Sequence, residues 1–252
     1  MEDFKKILQS FKIKNKLNPQ IWNETKNGDY VISDEVRIKL LEIANDFIDS
    51  LGVDIIVSDI IFTGSLCNYN WSSYSDVDVH LIVDYSQFEK GQETLYDTLF
   101  YLKKTIYNKN HDITIYGYDV ELYIENMGDI HDVKSIGKYS LLDNEWITKP
   151  SKKEKSIDYN GIKLKSKRWM GMIDDVIDNT KNEDYEDAKI MIDKFNEKLG
   201  KFRQSGLDKG GEYSEENLVF KVLRRNGYLD KIRSIKDKLA DIELSLNEQK
   251  QQ

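Results

Sequence analysis

The segment DVDVHLIVD, residues 76–84, alternates acid with valine and then runs through Leu81, Ile82 and Val83. Side chains of a strand point to alternate faces, so Asp76, Asp78 and His80 fall on one face and Val77, Val79 and Leu81 on the other. The apolar face needs a core, which requires further strands and helices packed on that side. The acidic face has the opposite requirement. Two adjacent desolvated carboxylates are costly unless a cation or hydrogen-bond donors compensate. A chain with this segment therefore builds a sheet with one apolar side and one side that holds a ligand or stays wet.

The flanking sequence supplies the rest of that sheet. VDIIVSDIIFTG, residues 53–64, is rich in Ile and Val, shows no helical stripe, and predicts a strand ending at Gly64-Ser65. HDITIYGYDVELYIEN, residues 111–126, predicts a third strand region, either bent or folded as a hairpin about Gly117. Ser33 is placed as an N-cap, with Val36, Leu40, Ile43 and Phe47 at helical spacing behind it and Gly52 as the stop. Gln92 to Tyr107 predicts another helix, with Leu95, Leu99, Leu102 and Ile106 as its stripe. Residues 34–126 thus read helix, strand, strand, helix, strand, a small α/β unit with a mixed sheet.

Outside that region the pattern is helical. Asp3 to Phe11 predicts a short helix with Phe4, Ile7, Leu8 and Phe11 on one face, and Asn27-Gly28-Asp29 a turn. Gly128 to Pro150 lacks a period and reads as a surface excursion. SKKEKS, residues 151–156, reads as a linker. Helices follow over 163–180, 185–203, 214–225 and 228 to about 248, with a flexible loop expected at Ser205-Gly206 and Lys209-Gly211. The expected class is α/β (α+β): a mixed-sheet domain with N-terminal helices over 1–150, then an all-helical domain over 151–252.

Composition narrows the function classes. Hydrophobic residues at 39% and aromatics at 11% are enough for a core. A net charge of −8 argues against broad electrostatic binding to nucleic acid or to an anionic membrane. Cys67 is the single cysteine, so no intrachain disulfide forms; it reads as a small buried residue in a reducing compartment. The N-terminus shows no signal-peptide h-region and no segment approaches a membrane span, so the expected location is cytoplasmic, with no membrane partner.

Two carboxylates on a rigid strand make a cradle for Mg²⁺, a hard cation that prefers oxygen ligands and keeps phosphate oxygens in its shell. A pair of such ions holds both the attacking and the leaving oxygen of an in-line phosphoryl displacement. Gly64 and Ser65 supply the other half of that chemistry, since a glycine lets backbone approach a phosphate and the serine region offers donors. A lone Gly-Ser after a strand is ordinarily a plain turn, and a lone Asp-x-Asp a solvated edge. The two at this spacing are far more specific.

FTGS, ten residues, then DVDVHLIVD resembles the signature of the polymerase-beta-like nucleotidyltransferase superfamily over residues 60–84. The resemblance implies that Asp76 and Asp78 bind catalytic Mg²⁺ ions, with a two-metal site, and that Gly64 and Ser65 hold the triphosphate of an NTP. It also implies a third acid on a neighbouring strand that orients or deprotonates the attacking hydroxyl. In YGYDVELYIEN, Glu121 sits mid-strand between apolar neighbours and is the first choice; Asp119, two residues earlier on the same face, is the second and Asp112 the third. VELYIEN, YSLLDNEWITKP and GEYSEENLVFKVLR also resemble segments of nucleotidyltransferase-like proteins of large tailed phages. The expected function is transfer of a nucleoside monophosphate from an NTP to an acceptor hydroxyl with release of pyrophosphate. The acceptor stays open among a small molecule, a protein and RNA. The alternative is a fold kept as a structural or interaction protein, for instance in a phage virion.

Other residues carry weaker signals. His80 reads as a satisfied polar residue beside the acids, and His111 and His131 as surface residues. Ser65 lacks the Gly-x-Ser-x-Gly frame of a hydrolase nucleophile. The basic run KLKSKR (Lys163, Lys165, Lys167, Arg168) and Arg224-Arg225 read either as solvated helix surface or as cations that reach a triphosphate or an anionic acceptor. Tyr69, Trp71 and Tyr74 either stack on a base or pack the loop down, and Trp146 and Trp169 read as core.

Overall fold

The computed structural model describes residues 4–129, 137–152, 156–180 and 185–245. In chain order the elements are α1 (Phe4–Gln9), β1 (Trp22–Glu24), β2 (Tyr30–Ile32), α2 (Asp34–Ser50), β3 (Val57–Thr63), β4 (Val77–Val83), α3 (Glu93–Asn110), β5 (Thr114–Ile115), β6 (Tyr118–Asn126), β7 (Lys138–Ser140), β8 (Glu145–Thr148), α4 (Tyr159–Asn179), α5 (Tyr185–Gly210), α6 (Glu215–Arg225) and α7 (Tyr228–Leu244). No helix among the described residues is long and apolar enough to cross a membrane. The class is α+β, with a mixed six-stranded sheet in order β5-β6-β4-β3-β7-β8 and a helical C-terminal part.

The chain divides into two units, Lys12–Glu154 and Met1–Phe11 with Lys155–Gln252. Placing α1 with the C-terminal helices differs from the expectation that it belongs with the sheet. The reason lies in its packing: Ile7 and Phe11 are buried, the Arg225 guanidinium sits 4.9 Å from the Phe11 ring, and Arg225 also donates to Ser10 Oγ. Arg225 therefore ties α6 to the N-terminal segment.

In the sheet unit β4 pairs antiparallel with β3 and parallel with β6. Val77, Val79, Leu81 and Val83 of β4 join Ile60 and Phe62 of β3 and Val120 and Leu122 of β6 in one core. Val36, Leu40 and Phe47 from α2 and Phe100 and Tyr107 from α3 complete it. The Ser33 side chain accepts from the Val36 N–H, and Gly52 takes a positive φ of 69° just beyond α2, as the start and stop signals required. Tyr116 and Gly117, at φ 52° and 82°, make the tight turn between β5 and β6, so the third strand region is a hairpin.

Several expectations need correction. Helix α3 forms, but Leu95, Leu102 and Ile106 of its expected stripe are exposed. The helix instead turns its aromatic edge inward, where Phe100 and Tyr107 bury larger surfaces than leucine offers. The excursion over 128–150 contains an antiparallel hairpin of β7 and β8 that extends the sheet, and its buried Tyr139 meets Trp22 and Trp146 edge-on. Trp146 itself is only partly buried. His131 lies outside the described residues. The loop expected at 205–211 is helical through Gly210. At Gly206 a Cβ would lie 2.5 Å from Glu216 Cβ and 2.8 Å from Ser214 Oγ, so this glycine serves close helix packing.

Candidate metal centre

β4 and β6 run parallel in a register that sets Asp78 directly opposite Glu121, with His80 opposite Tyr123 in the next row of that face. Asp76 enters from the residue just before β4. Each of Asp76, Asp78 and Glu121 offers a carboxylate oxygen, and the three oxygens lie within 4.8 Å of one another. All three side chains are half-buried. Asp119 and Asp112 are exposed and stand outside this trio.

Three carboxylates at that separation repel one another, and they are hard oxygen donors of the kind that hold Mg²⁺. The donor set therefore fits the divalent ion that the sequence signature implies. A single small cation within reach of all three offsets their mutual repulsion.

Gly64 and Ser65 lie at the end of β3, where Thr63 pairs with Asp78. Gly64 has φ 81°, and a Cβ there would fall 1.9 Å from Asp78 Oδ2. Glycine is required on both counts, because an L side chain is strained at that φ and would occupy the space of the carboxylate. Ser65 opens a single 3₁₀ turn, Ser65–Cys67, and its Oγ donates to Ser75 Oγ at 2.7 Å, joining the two ends of the intervening loop.

The turn is braced from several sides. Trp22 Nε1 donates to the Leu66 carbonyl at 2.8 Å, and Asn68 Nδ2 to the Gly64 carbonyl at 2.7 Å. The Gly137 N–H donates to Asn68 Oδ1 at 3.0 Å, and a Cβ at Gly137 would sit 2.2 Å from the Cys67 carbonyl oxygen. Cys67 is fully buried, and burial pushes its thiol well above the usual range. Tyr69 and Trp71 pack the loop down: the Lys14 N–H donates to the Tyr69 carbonyl, Trp71 Nε1 donates to the Lys16 carbonyl, and both rings rest against the core.

Two neighbours of the acids were not picked out from sequence. Tyr123 donates its hydroxyl to Glu121 Oε2, and burial first, then that bond and the three carboxylates, push its phenol far above the ordinary value. Lys104 of α3 holds its Nζ 4.0 Å from the Tyr123 ring centroid; burial lowers its pKa and the Glu121 charge opposes that shift. Tyr123 follows Glu121 by two residues on the same strand face, so the period-2 rule offered a signal for it. Lys104 had none, since its place depends on which edge of α3 packs. His80 Nδ1 lies 3.1 Å from Glu125 Oε2, and its ring is 4.9 Å from Tyr123, which makes it a partnered polar residue in the next row. On α4, Lys165 is paired with Glu215 at 2.8 Å and Glu216 at 3.8 Å.

Comparison with protein-family models, with curated proteins and with solved structures returned no match.

Proposed function

We propose that the protein is a Mg²⁺-dependent nucleotidyltransferase that moves a nucleoside monophosphate from an NTP to an acceptor hydroxyl. The observation that carries this reading is the meeting of Asp76, Asp78 and Glu121 beside Gly64-Ser65, the turn and acids of one sequence signature. Asp76, Asp78 and Glu121 would hold Mg²⁺, which when bound supplies charge neutralisation for the phosphates. The backbone at Gly64 and Ser65 positions the triphosphate. In the transfer an acceptor oxygen bonds to the α-phosphorus and the bond from that phosphorus to the α,β-bridging oxygen breaks. The bridging oxygen leaves with pyrophosphate. We assign Glu121 Oε1 to take the acceptor's proton, because Oε2 already receives the Tyr123 hydroxyl. The test is incubation with each α-³²P-labelled NTP, Mg²⁺ and panels of small-molecule, protein and RNA acceptors. Labelled acceptor and pyrophosphate are expected from the wild type and neither from Asp76→Asn/Asp78→Asn.

A second reading, an interaction protein, draws on the exposed Leu95, Leu102 and Ile106 of α3. It predicts no labelled product with any NTP, and partner binding that survives replacement of both aspartates.

A further inference from the structure

From Tyr159 to Ile173 the only charged residues of α4 are Lys163, Lys165, Lys167 and Arg168, an acid-free stretch in a chain of net charge −8. Part of this stretch faces α5 across a cavity of about 210 Å³ lined by Lys165, Arg168, Trp169, Met172, Lys198 and Phe202. Among the described residues no carboxylate is in that lining. Lys198 Nζ stands 5.7 Å from the Trp169 ring centroid, and the Phe202 ring 4.9 Å from the same indole. Lys165 is committed to Glu215 and Glu216. Arg168 and Lys198 are exposed, and neither has an ion-pair partner among the described residues.

Open cations beside aromatic walls ask for a ligand with an anionic group next to a flat apolar one. Inorganic phosphate satisfies the cations alone, and an aliphatic carboxylate leaves the rings uncovered. A phosphate joined to a base satisfies both, through charge on the guanidinium and ammonium and contact on the rings. The volume is below the roughly 300–1,000 Å³ of pockets that enclose a drug-sized ligand, which suits one nucleotide held half in solvent. We propose that the α4–α5 cavity binds a single nucleotide unit, with its phosphate on Arg168 and Lys198 and its base against Phe202 and Met172. The unit comes as a free mononucleotide or as one residue of a single strand. The residues of this site belong to the helical unit and none of them is among the three acids, so the proposal stands whether or not nucleotidyl transfer occurs at those acids.

The test is fluorescence anisotropy of full-length protein with a labelled single-stranded RNA of about 12 nucleotides, with AMP and polyphosphate as competitors. Wild type is expected to bind, with Kd raised roughly tenfold or more in Arg168→Glu/Lys198→Glu. Phe202→Ala should weaken binding several-fold; because Phe202 packs on Trp169, the variant at two exposed positions is the one that decides if Phe202→Ala fails to fold. Displacement by AMP at matched nucleotide concentration assigns the free mononucleotide, and resistance to AMP assigns the strand. Four results overturn the proposal: no binding at low salt; wild-type affinity in the charge-reversed variant; polyphosphate competing as well as RNA of equal charge; or binding lost in Asp76→Asn/Asp78→Asn while the charge-reversed variant keeps it. The last result would place the ligand at the acid centre.

Discussion

Gly64 is the position where one carbon atom decides the site. Its φ of 81° and the 1.9 Å that would separate a Cβ from Asp78 Oδ2 leave no room for a side chain. Gly64→Ala is therefore expected to cost about 1–3 kcal/mol of stability through backbone strain, visible in a urea titration. It should also weaken Mg²⁺ binding by roughly tenfold or more, because Asp78 must move. Tyr123→Phe removes the donor that orients Glu121, and we expect Mg²⁺ affinity to fall by about tenfold with the fold kept, as calorimetry would read. Much of this site was legible at the level of single residues. Strand alternation put Asp76 and Asp78 on one face; the family resemblance asked for a third acid, and the mid-strand place of Glu121 ranked it ahead of Asp119 on the same face. The reason for Gly64 was not legible: the glycine yields to a carboxylate of the neighbouring strand, a contact that depends on the β3–β4 register. Ser65 likewise bonds across its loop to Ser75, a partner that no local pattern names.

At the scale of elements, capping signals were sound in α2, and the β-branched runs were sound signals for β3 and β4. They failed where packing chose between two faces. In α3 the leucine row and the aromatic row both have helical spacing, and the aromatic row is the buried one. The β7–β8 hairpin was missed because its strands are short and alternate little, and its pairing with β3 is long-range. Gly206 illustrates a wrong inference from residue type. A glycine read as a flexible joint instead lies within α5 against the start of α6. Helix propensity alone favours alanine there by about 1 kcal/mol. We expect Gly206→Ala to be destabilising by about 1–3 kcal/mol instead, measured by its denaturation midpoint, since the new methyl overlaps Glu216 Cβ. The α2–α3 contact makes a prediction about pH. Tyr107 donates to Asp46 Oδ2 at 2.6 Å, and burial, then that bond, raise its phenol above the ordinary 10.0. A raised pKa favours the protonated form in the folded state, so the contribution is complete below about pH 10 and is lost as pH climbs toward the folded value. The stability of the wild type should fall across that alkaline window, and Tyr107→Phe should flatten the curve.

For the molecule as a whole, one unit concentrates acids on a sheet face and the other carries an acid-free basic stretch on a helix, within a chain whose net charge is −8. That division was only half visible in sequence. The basic run and the acid pair were both plain, but the α4–α5 cavity depends on how two amphipathic helices meet. The helical unit also gains its N-terminal helix through Arg225, whose contacts with Ser10 and Phe11 span more than two hundred positions. The central claim concerns the acid face, and isothermal titration with Mg²⁺ and each NTP tests it most directly. Wild-type protein should give saturable heat with at least one NTP only when Mg²⁺ is present. Asp76→Asn/Asp78→Asn, folded by circular dichroism, should give none under the same conditions. Equal heats from the two proteins, or heat that does not depend on Mg²⁺, would contradict the account.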